Sequence, residues 1–211
     1  MLSQEAGKQN KATYKELNYQ NLPISSQADK WWEYYMERED TIITKIFRGQ
    51  LCSEITCPKN HQSRSFDTFM GLSIGFGYSG KKFYGRDYSL DQLMEKEFNC
   101  AEEIEDPFYC SSCKAKCKCK KKISIYRVPK YLWIHIKRFK ISTYSCTKID
   151  ESVEVPLSFD IGPYLYKETK TKYTLYGIIH HMGSMNHGHY TAYNFNQGLQ
   201  NHDRQMVSFR R

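Results

Sequence analysis

No apolar run in the sequence approaches the roughly 18–20 residues that a membrane-crossing helix needs. The opening stretch MLSQEAGKQNKATYKELNYQN also lacks the apolar core of a signal peptide. These absences argue against a helical membrane protein and a secreted one, and point to the cytosol or nucleus. No internal repeat is visible, which excludes a solenoid or propeller array. No cysteine precedes Cys52, so any thiol chemistry belongs to the remainder of the chain. Acidic side chains are outnumbered, 23 against 31 basic ones, and the resulting formal charge of +8 admits acidic partners. The lysines, however, gather in CKAKCKCKKK instead of spreading along a stripe, which favours a solvated tip over a nucleic-acid surface.

What is present is the composition of a folded domain. Hydrophobic residues make up 40% and charged residues 26%, and 17 tyrosines and 11 phenylalanines are enough aromatic volume for a β-rich interior. A length of 211 residues suits one domain, or one domain with an inserted substructure. Residues 1–28 are polar and aperiodic and are expected to be poorly ordered. In DKWWEYYMEREDTIITKIFRG a single helical stripe collects Trp32, Tyr35, Met36, Ile43 and Ile46, which predicts one helix ending at Gly49. In SLDQLMEKEF, Ser89 can cap a second helix and Gln92 can reach back to it, with Leu90, Leu93 and Met94 as its apolar face. Between these helices, CSEITCPKNHQSRSFDTFMGLSI has strand content. Beyond Lys122 the alternation in ISIYRVPKYLWIHIKRF and YTLYGIIHH predicts further strands with antiparallel connections. The order of elements defines an α+β class.

Eight cysteines in a reducing compartment argue against a disulfide framework. Cys110 and Cys113 form a C-x-x-C knuckle, a spacing that lets two thiolates reach one tetrahedral ion from a tight turn. The partner pair should lie upstream, where TCPKNHQS offers Cys57 but has Asn60 at the position of a second thiolate. His61, one residue on, can substitute. Cys57, His61, Cys110 and Cys113 would bind zinc through three thiolates and one imidazole, with Cys52, Cys117 and Cys119 as alternative ligands.

Four ordered stretches between Trp31 and Ser208 carry a family resemblance. GQLCSEITCPKNHQSRSFDTFMGLSI is similar to the first zinc-knuckle strand pair of the ubiquitin-specific proteases, and FYCSSCKAKCKCKKKISIYRVPKYLWIHIKRF resembles their second knuckle and the strand after it. TKIDESVEVPLSFDIGPYL resembles the family's lysine and F-P-x-x-L-D-L stretch, and YTLYGIIHHMGSMNHGHYTAY resembles its histidine box. The resemblance implies a papain-like ubiquitin-specific protease fold. Residues 29–211 would form part of the catalytic domain, with fingers at about 47–126 and palm at about 127–211.

It also implies a chemistry: thiol-dependent hydrolysis of the bond at the C-terminal glycine of ubiquitin, with ubiquitin and ubiquitinated proteins as partners. His189 matches the catalytic histidine and Asp203 the acid that orients it, while His181 and Tyr190 are expected to line the substrate. Around Asp203 the chain departs from the family's W-x-x-F-D-D pattern, with Leu199, His202 and Arg204 in place of its tryptophan, phenylalanine and second aspartate. The family's nucleophile box, G-N-T-C-Y-x-N, and its Q-Q-D-A-x-E-F-L helix have no counterpart here. His189 is therefore expected to be a base without its nucleophile. Cys113, Cys117 and Cys119 sit among lysines that would lower their pKa, but the resemblance puts them at the finger tip, away from the histidine box. Cys100 and Cys146 lack such flanking charge. Three readings follow: the fingers and palm of a deubiquitinating enzyme, a pseudoenzyme that binds ubiquitin or a partner without cleaving, and a zinc-containing basic module for nucleic acid.

Overall fold

The structure is a computed structural model, and it describes residues 7–9, 19–76, 88–141, 146–184, 187–195 and 206–210. The first helical segment differs from the expected single rod. A helix runs over Ile24–Arg38, the chain extends through Glu39–Thr41, and a second helix covers Ile42–Phe47. The break is built from polar groups that an apolar stripe does not reveal. Thr41 accepts from Thr44 N–H while Thr44 Oγ1 accepts from Thr41 N–H, a reciprocal cap that restarts the helix. The buried Arg48 guanidinium donates to the carbonyls of Tyr35 and Glu39, and its Nη2 lies 2.7 Å from the Glu39 carboxylate. It thereby occupies the Glu39 carbonyl and adds a second donor to the Tyr35 carbonyl, which already accepts from Glu39 N–H. Consequently Gln27, Ala28, Thr41, Thr44 and Arg48 are buried, whereas Trp32, Tyr35, Met36, Ile43 and Ile46 are only half-buried.

The chain then enters an antiparallel four-stranded sheet, in the order Gln62–Phe69, Gly49–Thr56, Lys120–Arg127 and Glu102–Glu103. The start of this sheet requires glycine. A Cβ on Gly49 would fall 2.2 Å from the Phe69 ring and 2.8 Å from the Arg127 carbonyl oxygen. At the far end a small hairpin, Phe108–Cys110 with Ala115–Cys117, projects as the tip.

The helix predicted from SLDQLMEKEF forms over Leu90–Phe98 with both halves of the Ser89–Gln92 capping box in place. Leu90, Leu93, Met94 and Phe98 are buried in the main core against Phe69, Leu72, Ile74, Phe76, Ile125, Ile149, Phe159, Ile161 and Tyr164. Burial of each such side chain is worth about 1.5–3 kcal/mol, so this cluster joins the finger sheet to the rest of the domain.

Among the described residues two strand pairs are parallel, not antiparallel as expected: Leu72–Gly75 with Ile134–Lys137, and Tyr88–Ser89 with Val153–Glu154. Parallel neighbours need a long crossover, and here the first is supplied by the capped helix together with much of the finger sheet. Pro129, which has no N–H to donate, lies between Lys120–Arg127 and Ile134–Lys137 and divides the ISIYRVPKYLWIHIKRF stretch into two strands. The last sheet is antiparallel, Gly177–Gly183 with Gly188–Phe195 and then Met206–Arg210. Among the described residues no helix is long and apolar enough to cross a membrane.

Candidate functional site

Among the described residues, two features gather chemistry-bearing side chains. The first joins the turn after Gly49–Thr56 to the tip hairpin. Cys57, His61, Cys110 and Cys113 converge there, each offering a ligand atom within 4.8 Å of the others. Cys57 Sγ is 3.8 Å from Cys113 Sγ and 3.5 Å from His61 Nδ1. The same nitrogen is 3.2 Å from Cys113 Sγ and 3.7 Å from Cys110 Sγ.

Local backbone explains how a histidine takes a position where spacing asks for a cysteine. Asn60 N–H donates to the Cys57 carbonyl and Cys57 N–H to the His61 carbonyl, which closes a turn around Asn60 at φ 63. Asparagine tolerates this left-handed conformation, and the turn swings the longer imidazole back to the sulfur. In the other knuckle the left-handed residue comes one place later relative to the first thiol, at Lys114 with φ 53. Lysine is ill suited to it. Lys114→Gly is expected to stabilise the tip by roughly 0.5–1 kcal/mol, observable as a rise of about 1–4 °C in thermal midpoint; a fall would mean that Lys114 contributes a contact worth more than the backbone cost.

The alternative ligands are elsewhere. Cys52 is buried beside Ala28 and Phe66, where burial pushes its thiol up to about 12. Cys117 and Cys119 pack against the cluster without joining the four that converge. Within the cluster the thiols divide. Backbone N–H groups of Cys113 and Ser112 hold Cys110 below the ordinary thiol value. Burial opposes ionisation of Cys57, yet the N–H groups of His61 and Lys59 outweigh it and its pKa also falls. Cys113 is pushed up to about 12 by burial and by hydrogen bonding to the other two sulfurs. Three thiols, two of them with lowered pKa, surround one imidazole, and this arrangement could hold a metal ion.

The second feature is the histidine sheet. Gly183 faces Gly188 across the turn, Met182 faces His189, and His181 faces Tyr190. Directly opposed residues share a face and successive ones alternate, so His189 and Met182 lie on one side and His181 and Tyr190 on the other. The His181 and Tyr190 rings are 4.6 Å apart. The His181 imidazole lies over Gly188, where an added Cβ would be 2.1 Å from its Nε2. His189 itself is exposed. Gly183 has φ +123, and a Cβ on it would meet the His187 carbonyl at 2.5 Å, so this turn admits only glycine there. Asp203, Leu199, His202 and Arg204 lie outside the described residues. The lysine of the TKIDES segment is Lys148, whose ammonium donates to the Gly183 carbonyl; its place in the motif is visible in the sequence, its reach is not.

The sequence model of the family described as ubiquitin carboxyl-terminal hydrolase matches residues 3–209. The chain belongs to that family. Among relatives, it is 35% identical over 178 residues to ubiquitin carboxyl-terminal hydrolase 2 of Gallus gallus, which covers 82% of this chain and 48% of the relative. It is also 35% identical over 177 residues to ubiquitin carboxyl-terminal hydrolase Usp2 of Drosophila melanogaster, covering 82% of this chain and 18% of the relative. Among solved structures, the SAGA Ubp8/Sgf11/Sus1/Sgf73 DUB module bound to ubiquitin aldehyde superposes with a TM-score of 0.66 at 23% identity, over 86% of this chain and 45% of the solved one. That likeness shows the fold: the α+β, papain-like architecture of a ubiquitin-specific protease. The chain spans about half the length of the chicken relative and less of the fly one.

Proposed function

We propose that this ubiquitin carboxyl-terminal hydrolase family chain provides the fingers, about 47–126, and the palm, about 127–211, of a thiol-dependent deubiquitinating enzyme. Ubiquitin and ubiquitinated proteins are its partners, and the cytosol or nucleus its location. The observation that carries the reading is His189, exposed on a strand directly after the closed Gly183–Gly188 turn. An imidazole so held can take the proton of an attacking thiol and return it to the departing lysine amine, while Asp203 orients the ring. His181 and Tyr190 line the substrate.

The reaction needs a sulfur that these residues do not supply. Cys57, Cys110 and Cys113 converge on His61, and Cys52 is buried with a thiol raised to about 12. Cys117 and Cys119 pack at the same tip. By itself the chain is therefore expected to bind ubiquitin, seen by calorimetry, yet to release no fluorophore from a ubiquitin C-terminal reporter. A ubiquitin vinyl probe should label none of its cysteines. Rapid labelling of Cys100 or Cys146 that disappears in His189→Ala would contradict this and reveal a relocated nucleophile.

The tip cluster is the zinc site of this reading. Zinc–sulfur bonds of about 2.3 Å and zinc–nitrogen bonds of about 2.0–2.1 Å give a tetrahedron with edges of about 3.8 Å between sulfurs and about 3.6 Å from sulfur to nitrogen. The separations of 3.8 Å between the Cys57 and Cys113 sulfurs and 3.2–3.7 Å from sulfur to the His61 nitrogen support that fit. The role is structural, a clasp between the first finger turn and the tip hairpin. A second reading, binding without cleavage, is favoured by Leu199, His202 and Arg204, which replace family residues around Asp203. Nucleic-acid binding is not favoured: Lys120 and Lys121 face Glu103 and Glu102 across the sheet, so their charge is locally matched.

A further inference from the structure

We propose that Lys148 is a positioning residue for the His189 turn, an assignment that rests on reading His189 as the catalytic base. The backbone of Lys148 is anchored in the core from two sides. Its strand, Cys146–Lys148, pairs with Phe139–Ile141, and the next residue, Ile149, is buried in the main cluster. Ile149 N–H donates to the Arg138 carbonyl at 2.6 Å, and the Arg138 guanidinium returns bonds of 3.1 Å and 2.7 Å to the carbonyls of Ile149 and Glu151. From this base the Lys148 side chain crosses to the histidine sheet, 13% exposed, and places its ammonium 2.6 Å from the Gly183 carbonyl oxygen. Asp150 also meets the ammonium at 3.1 Å, but its side chain is 77% exposed and belongs to the same strand end, whereas the carbonyl belongs to the histidine sheet.

Gly183 is the right place to hold this turn. It ends one strand, faces Gly188, and has a positive φ at which an added Cβ would meet the His187 carbonyl. Within the turn, Ser184 Oγ and the His187 backbone exchange only long contacts of 3.3 Å. A charge-assisted bond at Gly183 is stronger than those, and it reaches the turn from outside the sheet. Gly188 directly precedes His189, so fixing the Gly183–Gly188 end of the hairpin fixes where the imidazole starts. Lys148 acts through the backbone and not on substrate.

The test uses the isotope-labelled full chain and needs no nucleophile. Lys148→Met keeps the aliphatic stem and removes the donor. Amide exchange at Gly183, Ser184, His187 and Gly188 is expected to quicken roughly ten- to a hundredfold, while amides of Gly49–Thr56 keep their rates. The His189 ring signals should shift or broaden in the same variant, and Lys148→Arg should restore both readouts. If Lys148→Met does not fold, Lys148→Gln, which keeps a neutral donor, is expected to show the same local pattern at reduced size. Unchanged exchange at the turn, acceleration shared equally with the finger strands, or failure of arginine to restore the His189 signals would each overturn the proposal. These readouts report on the turn alone. An inactive enzyme would leave them intact, and their failure would leave the role of His189 standing.

Discussion

Cys110→Ser is expected to abolish binding of one zinc ion per chain and to release the finger tip while leaving the histidine sheet folded. The four ligand atoms come from two pieces of chain, the turn at Cys57–His61 and the hairpin that carries Cys110 and Cys113. Few other groups secure that end. Tyr109 is 58% exposed, and the apolar residues around the cluster, Ile55 and Ile104, are only partly buried. Structural zinc supplies on the order of 10–16 kcal/mol to small domains, far more than such thin packing can replace. Chelation should act like the substitution: amides from Cys52 to Lys122 lose protection, whereas those of Gly177–Gly183 and Gly188–Phe195 do not. Binding also requires the proton that Cys113 retains to leave, so zinc uptake should release protons, and affinity should fall as pH is lowered. Metal analysis that finds no zinc in protein purified without chelator would show that the knuckle has lost its metal.

The second large effect is expected in a fusion. Joining a family thumb that carries the G-N-T-C box ahead of Lys30 should give deubiquitinating activity that depends on His189. In such a fusion His189→Ala should lower kcat/KM by roughly 10^3–10^6-fold, and Asp203→Ala by about ten- to a hundredfold less, since removing the orienting acid costs less than removing the base. The histidine sheet has apolar surface available for such a partner on both faces, with Ile179 and Tyr190 exposed on one and Met182 on the other. Ubiquitin binding by the fusion is measured first by calorimetry. A fusion that folds and binds ubiquitin but hydrolyses nothing would mean that the changes at Leu199, His202 and Arg204 have disabled the palm, and would favour the binding-only reading.

Features governed by a few neighbouring residues were legible before any coordinates. The Leu90–Phe98 helix follows from a cap, a reciprocal glutamine and the apolar positions Leu90, Leu93 and Met94, all within ten residues. The convergence of Cys57, His61, Cys110 and Cys113 followed from knuckle spacing once a histidine was admitted one place late. The sequence also determined the family, because motifs of fixed order carry it from one end of the chain to the other.

Tertiary structure decided what depends on groups distant along the chain. The first helix ends at Glu39, where Arg48, nine residues on, takes both the carbonyl and the carboxylate of that residue. His61 and not Cys52 completes the cluster because Cys52 faces Phe66 across the finger sheet, a pairing that follows from strand register and not from thiol spacing. The parallel pairs arise because the strands they join are separated by crossovers that bury the capped helix. Lys148 reaches Gly183 across 35 residues. An ammonium finds a carbonyl so far along the chain only after two sheets have packed, and local pattern carries no record of which carbonyl that will be.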